Sequence, residues 1–415
     1  MAAKKTSAKK NVSQGTKLVG DTDQRGRASS RQSIDPTKTA PKRDQDARVL
    51  SMDGGSIYGT FTAIMLRKLC AKSTRFLTPR SVTLFSGTSA GALNALLLAK
   101  ENNPRQAIEN RTLEKFHADE RVYSNRLNPI TGTLSLLGLT AWSGKADFYS
   151  VLDDHFGEMR MRDLKHRVMI TAFNLAGAPD PVSGQYQWRP KMFYNFPERE
   201  EDRALLVKDV AYGAASPPVV RPIVNGITDG GFFASDPSAF AIAKLLDDPP
   251  PEAEVRKKTG IVASGAVAKT QIARKANDIA KDILKRTSVL SMGVGAAVPT
   301  YFLPDFDFGV LPFHLLPTNA MNCFFGSPLL TFALNPAKNT TVYEASRLVG
   351  STDYFRLDPP VIGPPLPSVI NAAFLARFYI CRQLILKGIY KLADSEAVDY
   401  EIDRAYQWMK DNKWT

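Results

Sequence analysis

The chain has 415 residues, 44% of them hydrophobic and 23% charged, with 27 glycines and 27 prolines. That length and apolar fraction allow a sizeable core without disulfide or metal staples, and they exclude a wholly disordered chain, a collagen-type repeat and a low-complexity tract. The formal net charge is +13, but residues 1–48 hold 12 Lys/Arg against 5 Asp, so the rest of the chain is only mildly basic.

Residues 1–47 are polar and basic without a hydrophobic period, which predicts a disordered tail. The tail is also the sole pointer to nucleic acid, and no nucleic-acid partner is expected. Cys70, Cys323 and Cys381 are scattered and odd in number, and His117, His155, His166 and His314 are also far apart, so neither a disulfide framework nor a zinc site is indicated. The N-terminus lacks the apolar stretch of a secretory signal. The longest uncharged stretch, Phe308 to Ala337, is broken by Pro312, Pro317, Pro328 and Pro336, which a continuous spanning helix does not tolerate. These features predict a cytoplasmic protein that touches membranes peripherally.

From Arg48 the pattern alternates. Val49-Leu50-Ser51-Met52 reads as a strand ended by Asp53-Gly54-Gly55, and Phe61, Ile64, Met65 and Leu69 recur at helical spacing. Ser81 to Phe85 is a second strand, Gly87 to Gly91 a turn, and Ala92 to Lys100 a helix. Ile130 to Trp142 is apolar and uncharged; it reads as a buried helix or as a cap with Trp142 at a bilayer interface. Val168 to Phe173 is a third strand, Asp202 to Ala215 a helix, and Ile223 to Thr228 a strand or hairpin arm leading into Asp229-Gly230-Gly231. Residues 255–286 form a basic helical stretch with Ile272, Ala276, Ile279 and Ile283 on one face. Val289 to Met292 is a buried strand that echoes Val49 to Met52. A Pro-rich linker at 358–367 precedes two helices, about 368–393 and 396–411. This alternation predicts a mostly parallel sheet covered by helices on both faces. The expected organisation is a tail (1–47), a main α/β domain (48–357) with a helical insert near 255–286, and a linker with C-terminal helices packed on the domain (358–415).

Three Gly-rich turns follow strands, where open α/β sheets carry their functional loops. Gly87-Thr88-Ser89-Ala90-Gly91 is a G-x-S-x-G sequence: small neighbours allow a sharp strand-to-helix turn that exposes the serine, and the helix start favours negative charge beside it. A serine nucleophile needs a base. His314, with Asp229 before it, has the chain order of a hydrolase triad; Asp229 itself, freed by Gly230 and Gly231 to turn toward a neighbour, is the alternative. Asp53-Gly54-Gly55-Ser56-Ile57-Tyr58-Gly59 offers backbone N–H groups at a helix start, suited to a phosphate or to the oxyanion of a tetrahedral intermediate. It matches neither a P-loop nor a dinucleotide fingerprint.

The three blocks, in this order and spacing, resemble the signature of patatin-like phospholipases, and Ala214-Ala215-Ser216-Pro217-Pro218 resembles the segment that precedes the family's D-G-G. The resemblance spans roughly residues 48–300. It implies a three-layer α/β/α sandwich and a metal-free, cofactor-free Ser-Asp dyad that hydrolyses acyl esters of lipids. Ser89 would be the nucleophile, Asp229 the base, and the N–H groups of Gly54, Gly55 and Ser56 the oxyanion hole; Asp53, Gly59, Gly87, Gly91, Gly230 and Gly231 complete the motifs. The implied partner is membrane phospholipid or another acyl lipid. The chain departs from the family where Ser56 replaces a third glycine, Tyr58 an arginine, and Ser235-Asp236-Pro237 an Asn-containing segment. A Cβ at position 56 restricts the turn if positive φ is needed there; because the main donors are backbone groups, reduced or retuned rather than abolished activity is expected. The rival readings are a catalytically feeble lipid-binding protein and a signal-activated effector of the same fold.

Overall fold

The computed structural model describes residues 47–124, 140–177, 183–197, 199–218, 220–246, 255, 259–260, 266–295, 328–359 and 375–415. The tail, most of the Ile130 to Trp142 stretch, His314, Cys323 and most of the Pro-rich segment lie outside these residues.

The sheet is built from β1 (Ala47–Met52), β2 (Leu84–Thr88), β3 (Val168–Asn174), β4 (Arg189–Tyr194), β5 (Ile227–Asp229), β6 (Thr287–Met292) and β7 (Tyr354–Leu357). Its order is β4-β3-β2-β1-β6-β7, with β5 also paired to β3. The β1–β2, β2–β3, β1–β6 and β6–β7 pairs are parallel, and β4 and β5 run antiparallel to β3. The near-continuous apolar strands follow from burial on both faces. On one face Leu50, Met52, Phe85, Ile170, Leu290 and Met292 pack against α1 (Gly59–Lys72), α2 (Ala90–Ala99), α3 (Val207–Ala214) and the C-terminal helices. On the other, Val49, Leu84, Met169 and Val289 meet α4 (Ser238–Leu246) and Ala345 and Val349 of α6 (Pro328–Val349), with α5 (Ala266–Lys285) contributing Ile283 and Leu284. The three-layer α/β/α expectation holds.

The echoed tetrapeptides are neighbours: β1 and β6 pair in register, Val49 with Val289 and Ser51 with Ser291. Within the basic stretch residues 266–285 form α5, with Ile272 buried, Ile279 packed against it, and Arg274, Lys275, Lys281 and Lys285 exposed. Residues 202–215 hold two helices, Glu200–Arg203 and α3, rather than one. The last two helices are α7 (Tyr379–Ala393) and α8 (Glu396–Asp411); Ile385, Ile389, Ile402 and Trp414 join the core on the α1 side. Trp142 corrects the bilayer-cap reading: it is 1% exposed, its ring faces the Arg377 guanidinium, and its carbonyl accepts from Arg377. No helix among the described residues is long and apolar enough to cross a membrane.

Candidate active site

The carboxyl ends of β1, β2, β6 and β7 lie at one end of the sheet, and the candidate residues collect there. β2 stops at Thr88, and α2 starts at Ala90. Between them Ser89 takes φ 52°, ψ −119°, an uncommon conformation for a residue with a side chain. The turn is possible only because its flanks are bare. A Cβ on Gly87 would lie 2.2 Å from the Gly91 carbonyl oxygen, and one on Gly91 would lie 2.1 Å from the Met52 carbonyl oxygen. The second approach presses the elbow against the β1 turn, where a Cβ on Gly54 would sit 3.2 Å from Ser89 Cβ.

Asp229 arrives by register. β4 takes one side of β3 along Met169–Asn174, while β2 takes the other side only along Val168–Thr171. β5 fills the side β2 vacates, pairing Asp229 with Ala172. The base candidate therefore emerges beside the end of β2, next to Ser89. Thr88 Oγ1 donates to the Ala234 carbonyl at 2.5 Å and lies 2.6 Å from Thr171 Oγ1, binding the elbow to the loop after Asp229.

Asp229 is buried. Its Oδ1 accepts from the Gly231 N–H at 2.8 Å, and Oδ2 makes no hydrogen bond of good geometry. Burial pushes its carboxyl up to about 6, against the lowering effects of the Ser89 hydroxyl, the Gly231 N–H and the Arg221 charge. The Ser89 hydroxyl is thus among the groups that act on the Asp229 carboxyl, while Oδ2 accepts no hydrogen bond among the described residues. Arg221 is itself buried and is held by the Ala215 and Val122 carbonyls.

The Asp53 to Tyr58 turn narrows the oxyanion expectation. The Gly54 N–H donates to the Ser235 carbonyl at 3.0 Å, and Gly54 fits against Ser89. The N–H groups of Gly55 and Ser56, at the start of a short helical turn, have no acceptor among the described residues. Ser56 has φ 52°, so the departure from glycine falls on a position that needs positive φ. Such a conformation costs an L-residue about 1–2 kcal/mol. Tyr58 is fully buried, and desolvation raises its phenol pKa.

Behind the turn lies a charged cluster that motif reading did not reveal. Arg356 on β7 donates to both oxygens of Asp53, at 2.8 and 2.5 Å, to Asp236 Oδ2 at 3.1 Å, to Ser291 Oγ at 2.6 Å and to Asp358 Oδ2 at 2.8 Å. Lys338 lies 3.3 Å from Asp53 and 2.8 Å from Asp358. Asp236 also accepts from Ser51, Ser291, Tyr354 and the Ser238 N–H, so the repeated serines of β1 and β6 serve one carboxylate. Burial works against the Arg356 charge, but Asp53, Asp358 and Asp236 outweigh it and hold the guanidinium protonated. Burial alone would raise Asp358, whereas Arg356 and Lys338 pull it well below the ordinary carboxylate range. The sequence signal that was open to reading is the Ser235-Asp236-Pro237 departure; nothing local marks Arg356.

His117 is a core residue. It is fully buried, with Nε2 2.9 Å from Asn94 Oδ1 and Nδ1 3.3 Å from the Tyr123 hydroxyl, and desolvation lowers its pKa to about 3. A Cβ on Gly59 would collide with its ring.

Residues 50–242 match the family model for patatin-like phospholipase. A curated relative, the cGAMP-activated phospholipase of Pseudomonas aeruginosa, is 32% identical over 48% of this chain and 56% of its own length. Patatin-like protein 2 of Oryza sativa is 24% identical over 50% of this chain and 55% of its own. The chain thus spans about half the length of these relatives. A crystal structure of VipD from Legionella pneumophila covers 83% of this chain and 67% of its own at 12% identity, with a TM-score of 0.27.

Proposed function

We propose, on the premise that this chain carries a patatin-like phospholipase domain over residues 50–242, that it is a serine acyl hydrolase cleaving fatty-acyl esters of membrane lipids. The observation that carries the reading is the pairing of β5 with β3, which brings a buried Asp229 with a carboxyl near 6 beside the strained Ser89 elbow. At neutral pH Asp229 is mostly ionised and can take the Ser89 proton as Oγ attacks the ester carbonyl. The tetrahedral oxyanion meets the Gly55 and Ser56 N–H groups and the start of α2. Asp229 returns the proton to the leaving alcohol, giving an acyl-enzyme. Water, losing its proton to the same carboxylate, then releases the fatty acid.

Bilayer contact is assigned to the arm before β4 rather than to Trp142. Residues 183–190 are all exposed, with Tyr186 71% and Trp188 72% accessible. Arg189 pairs with Asn174 and Asp229 with Ala172, so Trp188 stands three residues, or ~10 Å, farther out from the same end of the sheet. Tryptophan and tyrosine favour the membrane–water interface, and Arg189 adds positive charge for anionic headgroups.

The test is fatty-acid release from mixed phospholipid vesicles. Ser89→Ala and Asp229→Asn are each expected to lower release by at least ~10³-fold, while His314→Ala keeps it; loss in a folded His314→Ala protein would restore the triad instead. A second reading, hydrolysis under signal control, is supported by the name of the P. aeruginosa relative. Running the assay with and without cGAMP separates the two.

A further inference from the structure

We infer that Arg356, beyond the segment matched by the family model, is a positioning residue of the candidate active site: it locks the Asp53–Ser56 turn so that the Gly55 and Ser56 N–H groups face the carbonyl oxygen of the ester that Ser89 attacks. The inference rests on the acyl-hydrolase reading above.

Three observations carry it. First, the turn is held at both of its anchor points by one guanidinium. Arg356 grips Asp53 directly through two parallel N–H···O contacts. It also grips Asp236, whose neighbour Ser235 holds the Gly54 N–H. Second, the turn does not rest there unaided, because Ser56 occupies positive φ and residues 53–59 contain no cation of their own. A strained backbone persists only where its surroundings over-determine it. Third, the cluster leaves no spare cation among the described residues. Asp53, Asp236 and Asp358 face Arg356 and Lys338, and Lys338 contacts only Asp53 and Asp358 among them. Removing Arg356 leaves the fully buried Asp236 without a cation among the described residues and frees the turn to move toward Lys338. A lysine at 356 restores charge but not the planar fork that serves Asp53 and Asp236 together.

The test uses the full chain and a soluble fatty-acyl p-nitrophenyl ester. Competent sites are counted by labelling Ser89 to completion with a fluorophosphonate. Arg356→Met is expected to lower kcat per labelled site by ~10²-fold or more, the loss typical of a disturbed oxyanion donor, with KM changed less than about twofold. Arg356→Lys should recover part of the loss. Asp53→Asn should reproduce the defect, and the double variant Arg356→Met/Asp53→Asn should be little worse than either single change, because both act through one contact. If Arg356→Met does not fold, Arg356→Lys and Asp53→Asn carry the same comparison. A kcat per labelled site within twofold of the parent, with losses explained by fewer labelled sites or a lower melting temperature, overturns the inference and leaves Arg356 a purely structural ion pair. The Ser89→Ala control separates that result from failure of the underlying reading: hydrolysis undiminished by Ser89→Ala removes the hydrolase assignment and the inference with it.

Discussion

Ser89 and Ser56 share an uncommon backbone conformation, each at φ 52°, but for different reasons. At Ser89 the strain holds the side chain at the tip of the elbow, and the glycines that permit it were legible because their spacing is local. At Ser56 the strain has no visible return. Ser56→Gly is therefore expected to relieve about 1–2 kcal/mol of it, less up to ~1 kcal/mol for the freer unfolded chain. The net is a small rise in urea midpoint with activity kept or improved; a lower midpoint would show that the serine side chain contributes more than the strain costs. Asp229 makes the sharper prediction. Its folded pKa is about 6, above the ordinary 3.8, so the native state holds this proton more tightly than the unfolded chain. The resulting contribution to stability is present below about pH 4 and is lost as pH rises through 6. Two units correspond to roughly 3 kcal/mol as an upper bound. Asp229→Asn should thus stabilise the protein at pH 7.5 and have little effect at pH 4, in paired urea titrations. In the parent protein kcat/KM should climb with pH through about 6 and then level, as the base ionises; a flat profile across pH 5–8 would remove Asp229 from that role.

Elements place these residues where the chain order alone does not. β2, read at Ser81 to Phe85, lies three residues later at Leu84–Thr88 and takes in Gly87 and Thr88, whereas the strands β1, β3 and β6 were readable from short apolar runs. β4 and β7 were not: Arg189 to Tyr194 contains Pro190 and Lys191, and Tyr354 to Leu357 is four residues long with an arginine inside. β4 tolerates its proline as an edge strand. β7 tolerates Arg356 because three carboxylates await it. The apolar stretch ending at Trp142 was a natural candidate for bilayer contact, yet the structure buries Trp142 and exposes Tyr186 and Trp188 instead. If the arm before β4 meets the membrane, Trp188→Ala should weaken partitioning into anionic vesicles by about tenfold, the loss of roughly 1–2 kcal/mol of interfacial burial, measured by co-sedimentation. Hydrolysis of a monomeric soluble ester should fall far less. Equal losses in both assays would place Trp188 in the integrity of the site rather than on the membrane.

Across the whole molecule, two apolar layers hold one sheet between them, and the C-terminal helices close the α1 side. The candidate site is assembled from both halves of this framework. The Asp53–Arg356 contact spans 303 positions in sequence, and the segment that matches the family model ends before β6, α6 and β7 begin. Those later elements supply Ser291, Lys338, Arg356 and Asp358. The sequence by itself determined the strand–turn–helix units, the glycine-framed Ser89, the Asp-Gly-Gly that carries Asp229, and from their order the family resemblance and the α/β class. All of these depend on steric demands acting within a few residues. The tertiary structure decided what lies between them. Pairing of β5 beside the end of β2 brings Asp229 toward Ser89, the Ser235 carbonyl takes up the Gly54 N–H, and the Asp236 carboxylate draws together serines from two strands. Hydrogen bonds and buried charges are satisfied by whichever groups the fold makes adjacent, and adjacency across hundreds of residues leaves no local pattern to read.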